Sequence, residues 1–196
     1  MNIHIKRAAL MTDLEESIAR QIADLPRDKQ LALMLVLCER MIPAMDQFVS
    51  ETGHNGSIFR ECLEKAWRHL AGKDGPFNWS NLAKQCLRST PDTEDFDHPL
   101  TSEALDAALA VEAMVSFLAD GDIDHVIEAR DLARDTATFC APDIDDEDLL
   151  VQQELQRQMK DLQFLQSLPR TISRRVIPRI KKHAVSMPAL LPAKAA

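Results

Sequence analysis

Leu31-Ala32-Leu33-Met34-Leu35-Val36-Leu37-Cys38 is an unbroken apolar run. It is far shorter than the roughly 20 residues a membrane span needs. Pro26 stands before it, where proline suits the first turn of a helix. Met45, Phe48 and Val49 continue the apolar pattern, and Gly53 can end it as a left-handed cap. The spacing predicts a helix over 27–52, with Pro43 kinking or interrupting it. A helix apolar on all sides must be enclosed by others. The run therefore predicts a bundle with this helix at its centre.

Outward from it, the chain keeps helical habits. It has 196 residues, of which 45% are hydrophobic and 28% charged, with 5 glycines and no tyrosine. That length fits one domain. Upstream, Thr12 and Glu15 make a capping-box pattern before Leu14, Ile18 and Ile22, so a first helix is expected from about residue 12 to 24. Residues 1–11 then read as a loose N-terminal arm. Downstream, Phe59, Cys62, Leu63, Ala66, Trp67 and Leu70 form one stripe of a third helix, opened by Ser57 and closed by Gly72. Asn78 or Ser80 opens a fourth, which carries Trp79, Leu82, Ala83, Cys86 and Leu87. After an acidic loop from Pro91 to Pro99, a fifth helix over 102–119 is almost uncharged, and it makes a second central helix. Gly121 breaks the chain. A sixth helix buries Val126, Ala129, Ala133 and Ala137. Pro142 separates it from a seventh, whose first turn holds Asp145, Asp146, Glu147 and Asp148, at the end of a helix that favours carboxylates. The seventh shows Leu155, Met159, Leu162 and Leu165 on one side and ends near Leu168. No period-two strand pattern appears. The expectation is an all-α, single-domain helical bundle of about seven helices over residues 12–168.

Residues 169–196 differ in charge. They hold seven basic residues (Arg170, Arg174, Arg175, Arg179, Lys181, Lys182 and Lys194) and no acid, leaving 16 basic against 31 acidic residues before them, a net of −15. Such an acidic body repels nucleic acid at long range. Arg174, Arg175, Arg179, Lys181 and Lys182 are the candidate contacts if the tail binds an anionic partner. Ile172, Val176, Ile177 and Ile180 among these cations could make a basic amphipathic segment, but Pro178 weakens it as one helix. With Pro188 and Pro192 cutting it further, the segment reads as a partly ordered tail resting on the chain's own acidic body, outside a core whose stripes end by Leu168.

Candidate chemistry is sparse. There is no GxGxxG, phosphate loop, HExxH or GxSxG. Asp120, Asp122 and Asp124 alternate like the start of a calcium loop. The pattern fails at its sixth position, where His125 replaces the glycine a sharp turn requires. Caps for two successive helices suit these residues better. Asp92, Glu94, Asp95, Asp97 and His98 could offer oxygen and imidazole ligands, but acidic loops are more often simply solvated. Cys38, Cys62, Cys86 and Cys140 form no CxxC, and all fall on apolar stripes, where a free thiol packs as a small hydrophobe. No metal and no cofactor are expected.

Leu37-Cys38-Glu39-Arg40-Met41 with Pro43, Phe48 and Thr52-Gly53, then Ile58, Arg60, Leu63, Trp67 and Leu70, resembles the YjaG-like family of bacterial proteins. Asp95-Phe96-Asp97 and the helices from Ala104 to Thr138 resemble it too. That family is known only as a domain of unknown function. Membership implies a small, all-helical cytoplasmic protein and no particular reaction. The resemblance spans roughly residues 30–165, and the basic tail departs from it. It directs attention to Glu39 and Arg40, because charges at the end of a buried helix must find partners. They form either a structural ion pair beside Pro43 or a polar pocket with Asp95 and Asp97.

The functional expectation is a non-enzymatic protein-interaction or regulatory module that acts as a homodimer. An enzyme or metal-dependent protein with an acidic site is the alternative. A nucleic-acid-associated protein acting through the tail is the third.

Overall fold

The structure, a computed structural model, describes residues 3–73, 77–140, 144–186 and 189–190, without the side chains of 3–10 and 144–147. Pro142 and the first-turn carboxylates Asp145, Asp146 and Glu147 therefore lie outside what is described. Among the described residues there are eight α-helices and no strand. They are α1 (Ile3–Ala23), α2 (Arg27–Thr52), α3 (Ser57–Leu70), α4 (Trp79–Ser89), α5 (Thr101–Asp120), α6 (Asp124–Phe139), α7 (Ile144–Ser167) and α8 (Ile177–Ser186).

The two expected central helices are central. Every residue from Leu31 to Cys38 is buried, and α2 lies against α5, which also carries α4 and α6. α2 runs on through Pro43 to Thr52. Proline there removes the N–H that would have bonded the Glu39 carbonyl. Gly53 closes α2 at φ 75°, donating to the Val49 carbonyl, as the left-handed cap requires. Gly56 is needed for a different reason. A Cβ on it would lie 2.6 Å from Val49 Cγ2, so a larger residue would push α3 off the end of α2.

Two expectations are corrected. α1 begins at Ile3, so Thr12 sits inside a helix and no capping box operates there. Arg7 to Met11 are good helix formers with no glycine or proline among them, and nothing stops the helix from extending backwards. The second correction concerns the tail. Ile172, Val176, Ile177, Ile180, Ala184 and Leu190 are all core residues, and α8 packs against α2. Pro178 does not prevent this helix. It occupies the first turn, where no intrahelical N–H bond is lost. The segment rests on the body through its apolar face, while Arg175, Arg179, Lys181 and Lys182 stay exposed on the other.

Side chains fasten the last part of the chain to the first. The Lys29 ammonium, buried near the start of α2, donates to the Leu168 carbonyl at 2.8 Å, which caps the end of α7. The Leu190 amide donates to the Arg40 carbonyl at 2.9 Å.

Trp67 shows how α3 is held. Its ring is 4% exposed, and its Nε1 donates to Glu39 Oε1 at 2.8 Å. The Lys181 ammonium sits 5.0 Å from the ring centre. Trp67→Ala should cost about 3–5 kcal/mol in chemical denaturation. A loss below about 1 kcal/mol, the size of an ordinary surface substitution, would mean that the ring does not carry this packing.

Candidate functional site

Among the described residues Arg40 is the largest fully buried side chain, with its guanidinium enclosed. It donates from Nη2 to Glu154 Oε1 at 2.7 Å and from Nη1 to Asp161 Oδ2. Both carboxylates come from α7, seven residues apart and so two turns along one face. Burial alone would lower the Arg40 pKa, but Glu154 and Asp161 outweigh it, and the guanidinium is held above its ordinary value. Burial pushes the Glu154 carboxyl up, against the pull of Arg40.

The cluster spreads to both sides. Gln158 Nε2 donates to Glu154 Oε1 and to the Arg130 carbonyl, each at 3.1 Å, tying α7 to α6. His183 Nε2 lies 2.7 Å from Asp161 Oδ1, and its ring stacks on Phe164 at 4.1 Å and 8°. The fixed point of α8 is therefore an imidazole set between a carboxylate and an aromatic face. Arg40 thus collects α2, α7 and α8 at one buried spot, and α6 joins through Gln158.

The residues proposed for a polar pocket are sent to different places. Adjacent positions on a helix project about 100° apart. Arg40 accordingly faces α7, while Glu39 faces α3, where it bonds Trp67 and lies 3.4 Å from Arg60. Asp95 and Asp97 are exposed. Their loop is anchored by Phe96, edge-on to Phe48 at 5.0 Å, and by His98, whose Nε2 lies 2.9 Å from Glu51 Oε2. Phe48 is about 13 Å further along α2 than Glu39. The four residues thus serve three separate joints. The geometry favours the structural ion pair, with its partners on α7 rather than beside it in sequence.

The aspartates at 120–124 behave as turn residues. Asp120 Oδ1 accepts from the Asp122 amide at 2.8 Å, and Asp122 Oδ1 accepts from the Asp124 amide at 3.1 Å. The Asp122 amide bond, and then His125, lower the Asp120 pKa. Gly121 takes φ 80° and caps α5. Among the described residues no group of three or more His, Cys, Asp or Glu side chains is placed to hold a metal ion. Cys38, Cys62 and Cys86 are buried, with the Cys62 and Cys86 sulfurs 3.6 Å apart. Cys140 is partly exposed, but burial and then Glu103 push its thiol up to about 12, far from a thiolate at neutral pH.

Asp106, one of several buried acids, carries no role that the sequence announces. Asp106 of α5 is 8% exposed and accepts from Thr136 Oγ1 of α6 at 2.9 Å. Burial raises its pKa to about 6, partly opposed by the Thr136 bond. The folded chain then holds a proton that the unfolded chain, with an aspartate near 3.9, has lost. Stability from this group is present at low pH and declines as pH climbs from about 4 to 6. Urea titrations across that window should show Asp106→Asn gaining on the parent as pH rises. A constant difference would contradict the assignment. Only its spacing among alanines on an apolar helix could have marked Asp106 beforehand.

These features describe an all-α domain whose strongest charges are enclosed as an interhelical clamp. The chain belongs to the family described as "Protein of unknown function (DUF416)", whose model matches residues 17–187. The match reaches past Leu168 and includes α8, so the tail helix belongs to the family pattern. "Uncharacterized protein YjaG" of Escherichia coli (strain K12) is 29% identical over 117 residues, covering 59% of this chain and 60% of that protein. The protein of the same name in Salmonella typhimurium is 30% identical, with the same coverage. The chain thus spans about three fifths of the length of these relatives. The crystal structure of a DUF416 family protein from Shewanella baltica OS155 superposes with a TM-score of 0.74 at 17% identity, covering 86% of this chain and 93% of that one. At that identity the likeness concerns the fold.

Proposed function

We propose that this protein is a non-enzymatic, cytoplasmic interaction module that works as a homodimer. The carrying observation is an exposed apolar corner where α6 ends and α7 begins. Phe139 is 53% and Leu149 43% exposed. The bond from Gln158 to the Arg130 carbonyl ties α7 to α6, with Phe139 the last residue of α6 and Leu149 in the second turn of α7. α1 runs alongside, and a groove of about 410 Å³ lies there, lined by Met11, Leu14, Ser17, Gln152 and Gln156, with Asp13 its single charge. A second copy offers the same apolar corner, and a two-fold contact needs only one self-complementary patch. The cysteines, three of them buried and none bonded, suit a reducing cytoplasm. Among the described residues no helix is long and apolar enough to cross a membrane.

The enzyme reading gains nothing from the geometry, because the charged side chains it relied on are shared among separate joints. The nucleic-acid reading keeps one supporting observation, the outward cations Arg175, Arg179 and Lys182 on and beside α8.

Light scattering coupled to size exclusion is the test. The parent should elute with twice the 22.0 kDa chain mass, and Phe139→Asp should shift it to one. A parent that stays monomeric at tens of micromolar would end the dimer proposal.

A further inference from the structure

A cleft of about 660 Å³ opens where the start of α2, the ends of α3 and α5, and the segment before α8 meet. Its volume is within the range of small-molecule sites, roughly 300–1,000 Å³. The floor is apolar: Leu31, Leu70, Phe117 and Ile172 are each 7% exposed or less. Two guanidinium groups stand at it, Arg27 from α2 and Arg174 from the chain after α7, against a single lining carboxylate, Asp28.

Both arginines are braced rather than free. Arg27 Nη2 donates to the Phe117 carbonyl at 3.2 Å, and its guanidinium carbon lies 5.3 Å from the Phe117 ring centre. Gly121 makes room for it, since a Cβ there would come within 2.7 Å of the guanidinium. Arg174 donates from Nε to the Ala71 carbonyl at 2.9 Å and from Nη2 to the Gly72 carbonyl at 2.8 Å. A guanidinium carries five N–H donors, so each keeps several beyond those bonds. Charge fixed in place by backbone contacts costs little ordering when a ligand arrives. Three of the carbonyls at the ends of α3 and α5, those of Ala71, Gly72 and Phe117, are taken up by these arginines.

We propose that this cleft binds a small amphipathic organic anion, its acid group at Arg27 and Arg174 and its hydrocarbon part on the floor of Leu31, Leu70, Phe117 and Ile172. The site is independent of the dimer corner. It would give an interaction module a small-molecule input.

The probe is octanoate, titrated calorimetrically into the full chain beside 1-octanol and inorganic phosphate. Octanoate should saturate one site per chain, and the neutral alcohol and the bare anion should each bind at least about tenfold more weakly, the worth of one lost contact of 1.4 kcal/mol. Arg27→Gln and Arg174→Gln should each weaken octanoate by a similar factor with the melt preserved. Backbone amide shifts of the unmodified protein supply a readout that needs no variant. On octanoate addition they should concentrate at residues 27–31, 69–72, 117–121 and 172–174. Absence of saturation up to millimolar octanoate, octanol binding as well as octanoate, variants that bind like the parent, or shifts scattered away from the cleft would each overturn the proposal.

Discussion

Arg40→Met should destabilise the fold by about 3–5 kcal/mol, because it removes the buried cation that two buried carboxylates share. Glu154 and Asp161 have side chains fully out of solvent; Asp161 keeps His183 at 2.7 Å, while Glu154 keeps only Arg157 at 3.8 Å. The sign of the pH response identifies the mechanism. In the variant the folded chain should prefer the Glu154 carboxyl protonated, since burial already pushes it up and Arg40 no longer opposes this, whereas the unfolded chain ionises it near pH 4. The deficit should therefore shrink as pH falls toward 4 and be full at neutral pH. A deficit that does not change with pH would assign the loss to packing volume instead. Arg40→Met combined with Glu154→Leu and Asp161→Leu should recover much of the stability, since apolar replacement of a whole buried ion cluster is commonly neutral or favourable.

Removing residues 169–196 should lower the melting temperature by at least about 10 °C, and the truncated chain should bind hydrophobic dyes in the cold. Ile172, Val176, Ile177 and Ile180 are each 8% exposed or less. Burying such side chains is worth about 1.5–3 kcal/mol each against leaving them in water. Deletion also bares the face of α2 beneath them and takes His183 from Asp161. At roughly 2–4 °C per kcal/mol for a domain of this size, a net loss of a few kcal/mol gives the expected shift. Ile180→Ala, at about 2–5 kcal/mol, probes the same packing without deletion. A truncated chain that melts like the parent would return the segment to the status of an independent tail.

The helical architecture was legible because its signals are local. The run from Leu31 to Cys38, the stripe from Phe59 to Leu70, and the glycines at 53 and 121 each announce themselves within one or two turns. The Arg40 cluster was only half legible. An arginine inside a buried helix demands an acid, but nothing in the sequence says that the acid lies 114 residues away on α7. The nearer acids Asp95 and Asp97 stood only as the alternative to a structural ion pair, drawn in because they lie in a conspicuous acidic loop. The tail was misjudged because Pro178 weighs against one continuous helix, although it falls in the first turn. Ile177, Ile180 and Ala184 recur at helical intervals, and Pro178 falls where proline is tolerated. The cleft at Arg27 and Arg174 was invisible in the sequence, since its walls come from four separate parts of the chain.

That the C-terminal segment belongs to the same cooperative unit as α2 is most directly tested by native-state amide hydrogen exchange on the intact chain. The amides of Ile180, Ala184 and Leu190 should exchange only through the opening that frees the amides of Leu33 to Leu37, with the same denaturant dependence. Exchange of the α8 amides near the unprotected rate, while the α2 amides stay protected, would contradict it.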